Sequence, residues 1–154
     1  MLDVVHADLD SLHIMGTVRA TAVAVIRHPL TGALLVDEIV ERGTGQTFHR
    51  LPGGGIEFQE LAHDTVAREL DEEYGLAVRV GCRHGVLESL FTFEGQPGHE
   101  IVLVCEADVV DPATCDIDRL PSRDTSGVTA AWREIVGADL DLVPEAVRAL
   151  VSHR

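Results

Sequence analysis

Three glutamates, Glu69, Glu72 and Glu73, fall at the spacing that brings side chains onto one face of a helix. At about 100° of rotation per residue, positions i, i+3 and i+4 are surface neighbours, so the carboxylates would converge. Such an arrangement is poor for stability alone. Like charges at these spacings cost about 0.2–0.5 kcal/mol per pair, and carboxylates near a helix C-terminus oppose the macrodipole. Asp71 adds to the mismatch, and Gly75, a good residue for the left-handed position after a helix, leaves all these acids in the last turns. A divalent cation resolves the conflict. Oxygen donors with no His or Cys among them suit Mg²⁺ or Mn²⁺ better than zinc. Taken alone, an acidic run is more often a solvated helix face, and the residues around this one decide against that reading.

The stretch GGIEFQELAHDTVARELDEEYGL, from Gly54 to Leu76, resembles the Nudix box, G-x5-E-x7-R-E-U-x-E-E-x-G-U with U apolar. Gly54, Glu60, Arg68, Glu69, Leu70, Glu72, Glu73, Gly75 and Leu76 fill every specified position. A chance match at one start is on the order of 10⁻⁸. The resemblance implies an α/β fold, the Nudix-type α/β/α sandwich with a mixed β-sheet, and a metal-dependent hydrolysis of a nucleoside diphosphate linked to another group. It makes Glu69, Glu72 and Glu73 metal ligands, Glu73 the central one, joined by a backbone carbonyl near Gly53 or Gly54. It has Arg68 pair with an acid such as Glu60 to hold the loop–helix–loop together, while Gly54 and Gly75 are backbone positions where a side chain would obstruct a turn. One departure is Gln59, where family members often carry Gly.

A metal held by these carboxylates would bridge phosphate oxygens, offset transition-state charge and acidify a bound water. Candidate bases for that water are Glu100, Glu94, Glu88 and Glu57. Glu100 is preferred, because it sits at a turn-to-strand junction after the Gly95–Gly98 segment and could swing over the metals; with Glu72 and Glu73 it forms the expected catalytic set. Arg19, Arg50 and His99 are the expected phosphate contacts, Arg being a bidentate donor, and Arg27 is a further candidate. Phe91 and Phe93 alternate on a strand and either stack a base or fill the core, the commoner fate of strand aromatics; Trp132 is assigned to the core. ADP-ribose, other nucleotide sugars, dinucleoside polyphosphates and nucleoside triphosphates are all open as substrates. A catalytically silent nucleotide sensor and an RNA 5′-end pyrophosphohydrolase are the alternatives.

Around this helix the chain reads as strands at Arg19–Ile26 and Ala33–Val36, then Thr47–Leu51 leading into the run Pro52-Gly53-Gly54-Gly55. Beyond the helix, Ala77–Gly81, Gly85–Phe93, Glu100–Val109 and Val128–Ile135 read as strands, Asp111–Gly127 as a polar loop and Pro144–Ser152 as a terminal helix. The irregular alternation argues for a mixed sheet between helical layers rather than a doubly wound parallel one. With 154 residues and 45% hydrophobic content, one domain over 1–154 is expected. Residues 1–16 fit neither a clean helix nor a clean strand and would pack on the sheet, pair with a second subunit in a homodimer, or fray.

No run of about 18 apolar residues occurs, and Asp3, Asp8 and Asp10 replace the basic start of a secretory signal, so a cytoplasmic protein without a membrane span is expected. Cys82, Cys105 and Cys115 are odd in number and lack C-x-x-C spacing, which argues against zinc or a disulfide framework. With a net charge of −14 and no Lys, the chain should repel nucleic-acid backbones, and it needs cations to hold a small phosphate ligand.

Overall fold

Small and β-branched residues alternate along β1 (Arg19–Ile26), which gives the strand two apolar faces. Ala22, Ala24 and Ile26 are fully buried beneath Val66, Leu70 and Tyr74 of α1 (Ala62–Tyr74). Val23 and Val25 face the opposite way, into a second core completed by Val102, Val104 and Leu142, with Val147 and Val151 from α2 (Val147–Ser152). A strand covered by helices on both sides is the centre of a layered α/β structure. The fold comes from a computed structural model that describes residues 16–136 and 140–152; the amino-terminal segment considered for a subunit contact lies, but for Gly16, outside the described residues.

In the central sheet, β1 pairs antiparallel with β4 (Gly53–Gly55) and parallel with β6 (Gln96–Val109), and β6 pairs antiparallel with β5 (Val78–Phe93). This is the expected mixed sheet. A second sheet, wholly antiparallel, runs in the order β3 (Thr47–Arg50), β2 (Leu34–Val40), β8 (Thr129–Arg133), β7 (Arg119–Pro121).

Several boundaries differ from expectation. The segments Ala77–Gly81 and Gly85–Phe93 form the single strand β5, because the long partner β6 carries pairing across two register shifts flanking Arg83. Strand β2 runs on past Val36 to Val40 and takes Asp37 inside. Strand β6 starts at Gln96 rather than Glu100, α2 starts at Val147 rather than Pro144, and the expected loop 111–127 contains the short strand β7.

Candidate active site

The run between β3 and α1 brings backbone where side chains cannot go. Gly53 has φ of 147°, and a Cβ on it would stand 2.1 Å from the carbonyl oxygen of Ala22. A Cβ on Gly54 would stand 2.3 Å from Cδ of Glu69 and 2.5 and 2.6 Å from its two oxygens. The Glu69 carboxylate therefore rests directly on the glycine loop.

Arg68 clamps that loop to the helix. Its Nε donates to Oε1 of Glu60 at 2.7 Å and its Nη2 to Oε2 at 2.9 Å, a bidentate pair, with a further bond from Nη2 to the Gly55 carbonyl at 3.1 Å. Glu60 also accepts from the Thr65 hydroxyl at 2.7 Å and the Glu57 amide at 3.0 Å. These donors, Arg68 foremost, hold the Glu60 carboxyl down at about 2. Nη1 of Arg68 reaches Glu69 at 2.8 Å and Glu72 at 3.3 Å.

Helical rotation sets the burial of the three glutamates. Glu73 lies about 60° from Leu70 on the helical wheel and Glu72 about 160°, so Glu73 is half-buried while the Glu72 side chain is 60% exposed. Burial, with the Asp37 charge added and only Arg50 opposing, pushes the Glu73 carboxyl up to about 8. Burial also raises Glu69, only partly offset by Arg68.

Beneath Glu73 lies a buried network that sequence reasoning missed. Asp37, with no exposed surface, accepts from the Tyr74 hydroxyl at 2.7 Å and from Nε of Arg50 at 3.4 Å. Burial raises its carboxyl against the pull of Arg50 and Tyr74. Arg50 in turn feels the carboxylates of Asp37, Glu73 and Glu100, which outweigh desolvation and keep it charged. The one signal for Asp37 was an acidic pair, Asp37 and Glu38, inside the otherwise apolar run LLVDEIV. Asp124, on the loop whose Arg123 amide donates to the Glu73 carbonyl at 2.8 Å, also lines the site; burial raises its carboxyl, and bonds from Ser126 and Ser122 more than compensate.

These groups open onto one cavity of about 1360 Å³. Arg19, Arg50, Gly53, Gly54, Arg68, Glu69, Glu72, Glu73 and Glu100 all border it, as do Glu57 and Glu94. Arg19 Nη1 lies 3.7 Å from Glu100 Oε1. Glu100 is not at a flexible junction, since β6 begins at Gln96 and pairs Glu100 with Arg19 on one side and Ser89 on the other. His99 must be corrected. Strand alternation turns it to the opposite face, where Nε2 bonds Glu88 at 2.9 Å, so neither His99 nor Glu88 reaches the cavity. Arg27 is also elsewhere, its Nη2 bound to the Val151 carbonyl.

The sequence profile of the NUDIX domain matches residues 17–136. The chain belongs to the Nudix family. Its enzymatic class is that of the Nudix hydrolases. Among solved structures it is similar to a MutT protein from Methanosarcina mazei Go1, with 21% identity, TM-score 0.64, and coverage of 91% of this chain and 94% of that one. It is also similar to a Nudix hydrolase from Nitrosomonas europaea, with 25% identity, TM-score 0.57, and coverage of 90% and 81%. An ADP-ribose pyrophosphatase from Streptococcus suis 89-1591 aligns at 16% identity and TM-score 0.54, over 88% and 90%. No curated protein sequence matches the chain significantly.

Nudix hydrolases use divalent metal ions, and the residues of this Nudix helix fit one. The donors are all oxygen, Glu69 is seated where only glycine permits it, and Glu73 carries a half-buried carboxyl whose charged form a cation would stabilise. Among the described residues no three such groups stand together as a ready metal cluster, and Arg68 holds Glu69 and Glu72 in the meantime.

Proposed function

We propose that the protein is a divalent-metal-dependent pyrophosphohydrolase that cleaves a nucleoside diphosphate joined to a second moiety, of the ADP-ribose, nucleotide-sugar or nucleoside-triphosphate type. The observation that carries this reading is the meeting, in one cavity, of Glu69 laid on Gly54, the half-buried Glu73 and the two arginines Arg19 and Arg50. The Streptococcus suis relative, an ADP-ribose pyrophosphatase, makes that substrate type the first to test.

Glu69, Glu72, Glu73 and the Gly53 carbonyl would hold Mg²⁺, for which Mn²⁺ can substitute. Such an ion, when bound, neutralises phosphate charge and acidifies a water ligand. Arg50, tied to Asp37, presents its guanidinium to the diphosphate, and Arg19 flanks it beside Glu100. Glu100 accepts the proton of the attacking water as general base. A new P–O bond forms to that water, and the bond from the same phosphorus to the bridging oxygen breaks. Arg68 and Glu60 take no part in the chemistry and keep the glycine loop against α1.

No helix among the described residues is long and apolar enough to cross a membrane, and Cys82, Cys105 and Cys115 are free thiols. We place the enzyme in the cytoplasm, as one domain over residues 1–154. Incubation with Mg²⁺ and a panel of ADP-ribose, nucleotide sugars, dinucleoside polyphosphates and nucleoside triphosphates, with products identified by mass, tests the reading. AMP from ADP-ribose, or pyrophosphate from a triphosphate, supports it. Saturable binding with no turnover of any member contradicts it.

A further inference from the structure

Of the chain's 4 phenylalanines, Phe48, Phe91 and Phe93 border the active-site cavity, and neither hydrophobic core cluster contains a phenylalanine. A domain ordinarily uses its large rings to fill the core. Here the cores are mainly aliphatic, and the rings stand in the wall of the cavity. Phe91 of β5 reaches across to its strand partner Gly98, where a Cβ would stand 2.3, 2.4 and 2.8 Å from Cζ, Cε2 and Cε1 of the ring. The end of the ring thus fills the space of the missing side chain. Phe91 covers Gly98 and also borders the cavity. Phe93, on the same face of β5, meets Phe48 of β3 edge-to-face at 5.7 Å and 80°.

The register places this wall relative to the phosphate groups. Gly98 and Phe91 are two residues along from Glu100 and Ser89, about 7 Å. Glu100 pairs with Arg19, whose Nη2 lies 3.0 Å from the position of a Cβ on Gly55. From glycine loop to Arg19, Glu100 and then the rings, the lining of the cavity passes from charged to aromatic.

We propose that Phe91, laid on Gly98, is the platform on which the base of the substrate stacks, with the Phe48–Phe93 pair at its edge, so that substrates carry an aromatic base. The inference rests on the hydrolase reading above and adds the base subsite to it. Stacking reads the π-face and tolerates different bases, so adenine and guanine nucleotides are accepted alike, ahead of pyrimidines with their smaller rings.

Calorimetric titration of the protein with AMP and with ribose 5-phosphate, each in the presence of Mg²⁺, tests the platform. Wild type is expected to bind AMP about 10-fold or more tighter than the base-free ligand. Phe91→Leu, and Gly98→Ala, whose methyl displaces the ring, are expected to lose that advantage while keeping the affinity for ribose 5-phosphate, which also reports that they fold. Phe91→Trp is expected to keep it. Equal affinities in wild type, binding of neither ligand, or no loss in Phe91→Leu overturns the platform. Turnover of the wild type with Mg²⁺ judges the hydrolase reading separately: an active enzyme indifferent to the base loses only the platform, and an inactive one that binds AMP through Phe91 loses only the reaction.

Discussion

The hydroxyl of Tyr74 donates to Oδ1 of Asp37 at 2.7 Å and ties the buried stripe of α1 to a carboxylate with no exposed surface. The second oxygen of that carboxylate holds Arg50 at 3.4 Å, so the helix core and the cavity arginine are joined through one acid. Removing the hydroxyl in Tyr74→Phe leaves a buried acceptor short of a donor, at a cost of about 1–3 kcal/mol. A lower denaturant midpoint together with a raised KM is expected. A variant unchanged in both would show that the bond neither supports the fold nor sets Arg50.

The Glu60–Arg68 clamp predicts a specific acid response. Glu60 has its carboxyl lowered to about 2 from an ordinary 4.5, chiefly by Arg68, so its stabilisation is complete above about 4.5 and is lost as pH falls through about 2. Thermal melts of wild type and Glu60→Gln should differ by about 1–3 kcal/mol at pH 7 and converge toward pH 2. A gap that stays constant with pH would contradict the assignment.

Much of this site was legible because it is local. The end of α1 at Gly75 and the shared face of Glu69, Glu72 and Glu73 follow from spacing within one helix, and the Arg68–Glu60 contact was implied by the family resemblance. Asp37 was hidden because its partners, Tyr74 and Arg50, come from other elements, and only tertiary contact makes a buried acid tolerable there. Glu100 as the preferred base and His99 as a phosphate contact were both expected at the site while β6 was read as starting at Glu100. With the strand starting at Gln96, alternation sends one to the cavity and the other to Glu88. Residue type alone left Phe91 and Phe93 between stacking a base and filling the core, and the glycine that admits Phe91 to the cavity wall matters only through cross-strand register.

Gly54→Ala tests the seat of the proposed metal. The added methyl would overlap the Glu69 carboxylate and push it off the loop. Mn²⁺ affinity, followed by water-proton relaxation, should fall about 10-fold or more while the circular dichroism spectrum is kept. Undiminished affinity would mean that Glu69 is not held by the glycine loop for metal binding.

Metal removal should expose the burial of Glu73. With its carboxyl raised to about 8, the folded protein keeps a proton between about 4.5 and 8 that the unfolded chain has lost, so metal-free stability falls as pH rises through that window. EDTA-treated wild type should melt lower at pH 8 than at pH 5, and Mg²⁺ should restore most of the loss at pH 8. Glu73→Gln should flatten the pH dependence and abolish the rescue; an unaltered profile would count against Glu73 as the group responsible.

The central claim is that carboxylates of α1 gather a divalent ion beside a scissile diphosphate. Turnover of ADP-ribose with Mg²⁺ in ¹⁸O-labelled water, compared between wild type and Glu73→Gln, tests it most directly. The account predicts that wild type places ¹⁸O in a phosphate-bearing product and that Glu73→Gln, still folded, loses more than about 100-fold in rate. A Glu73→Gln protein as active as wild type would contradict it.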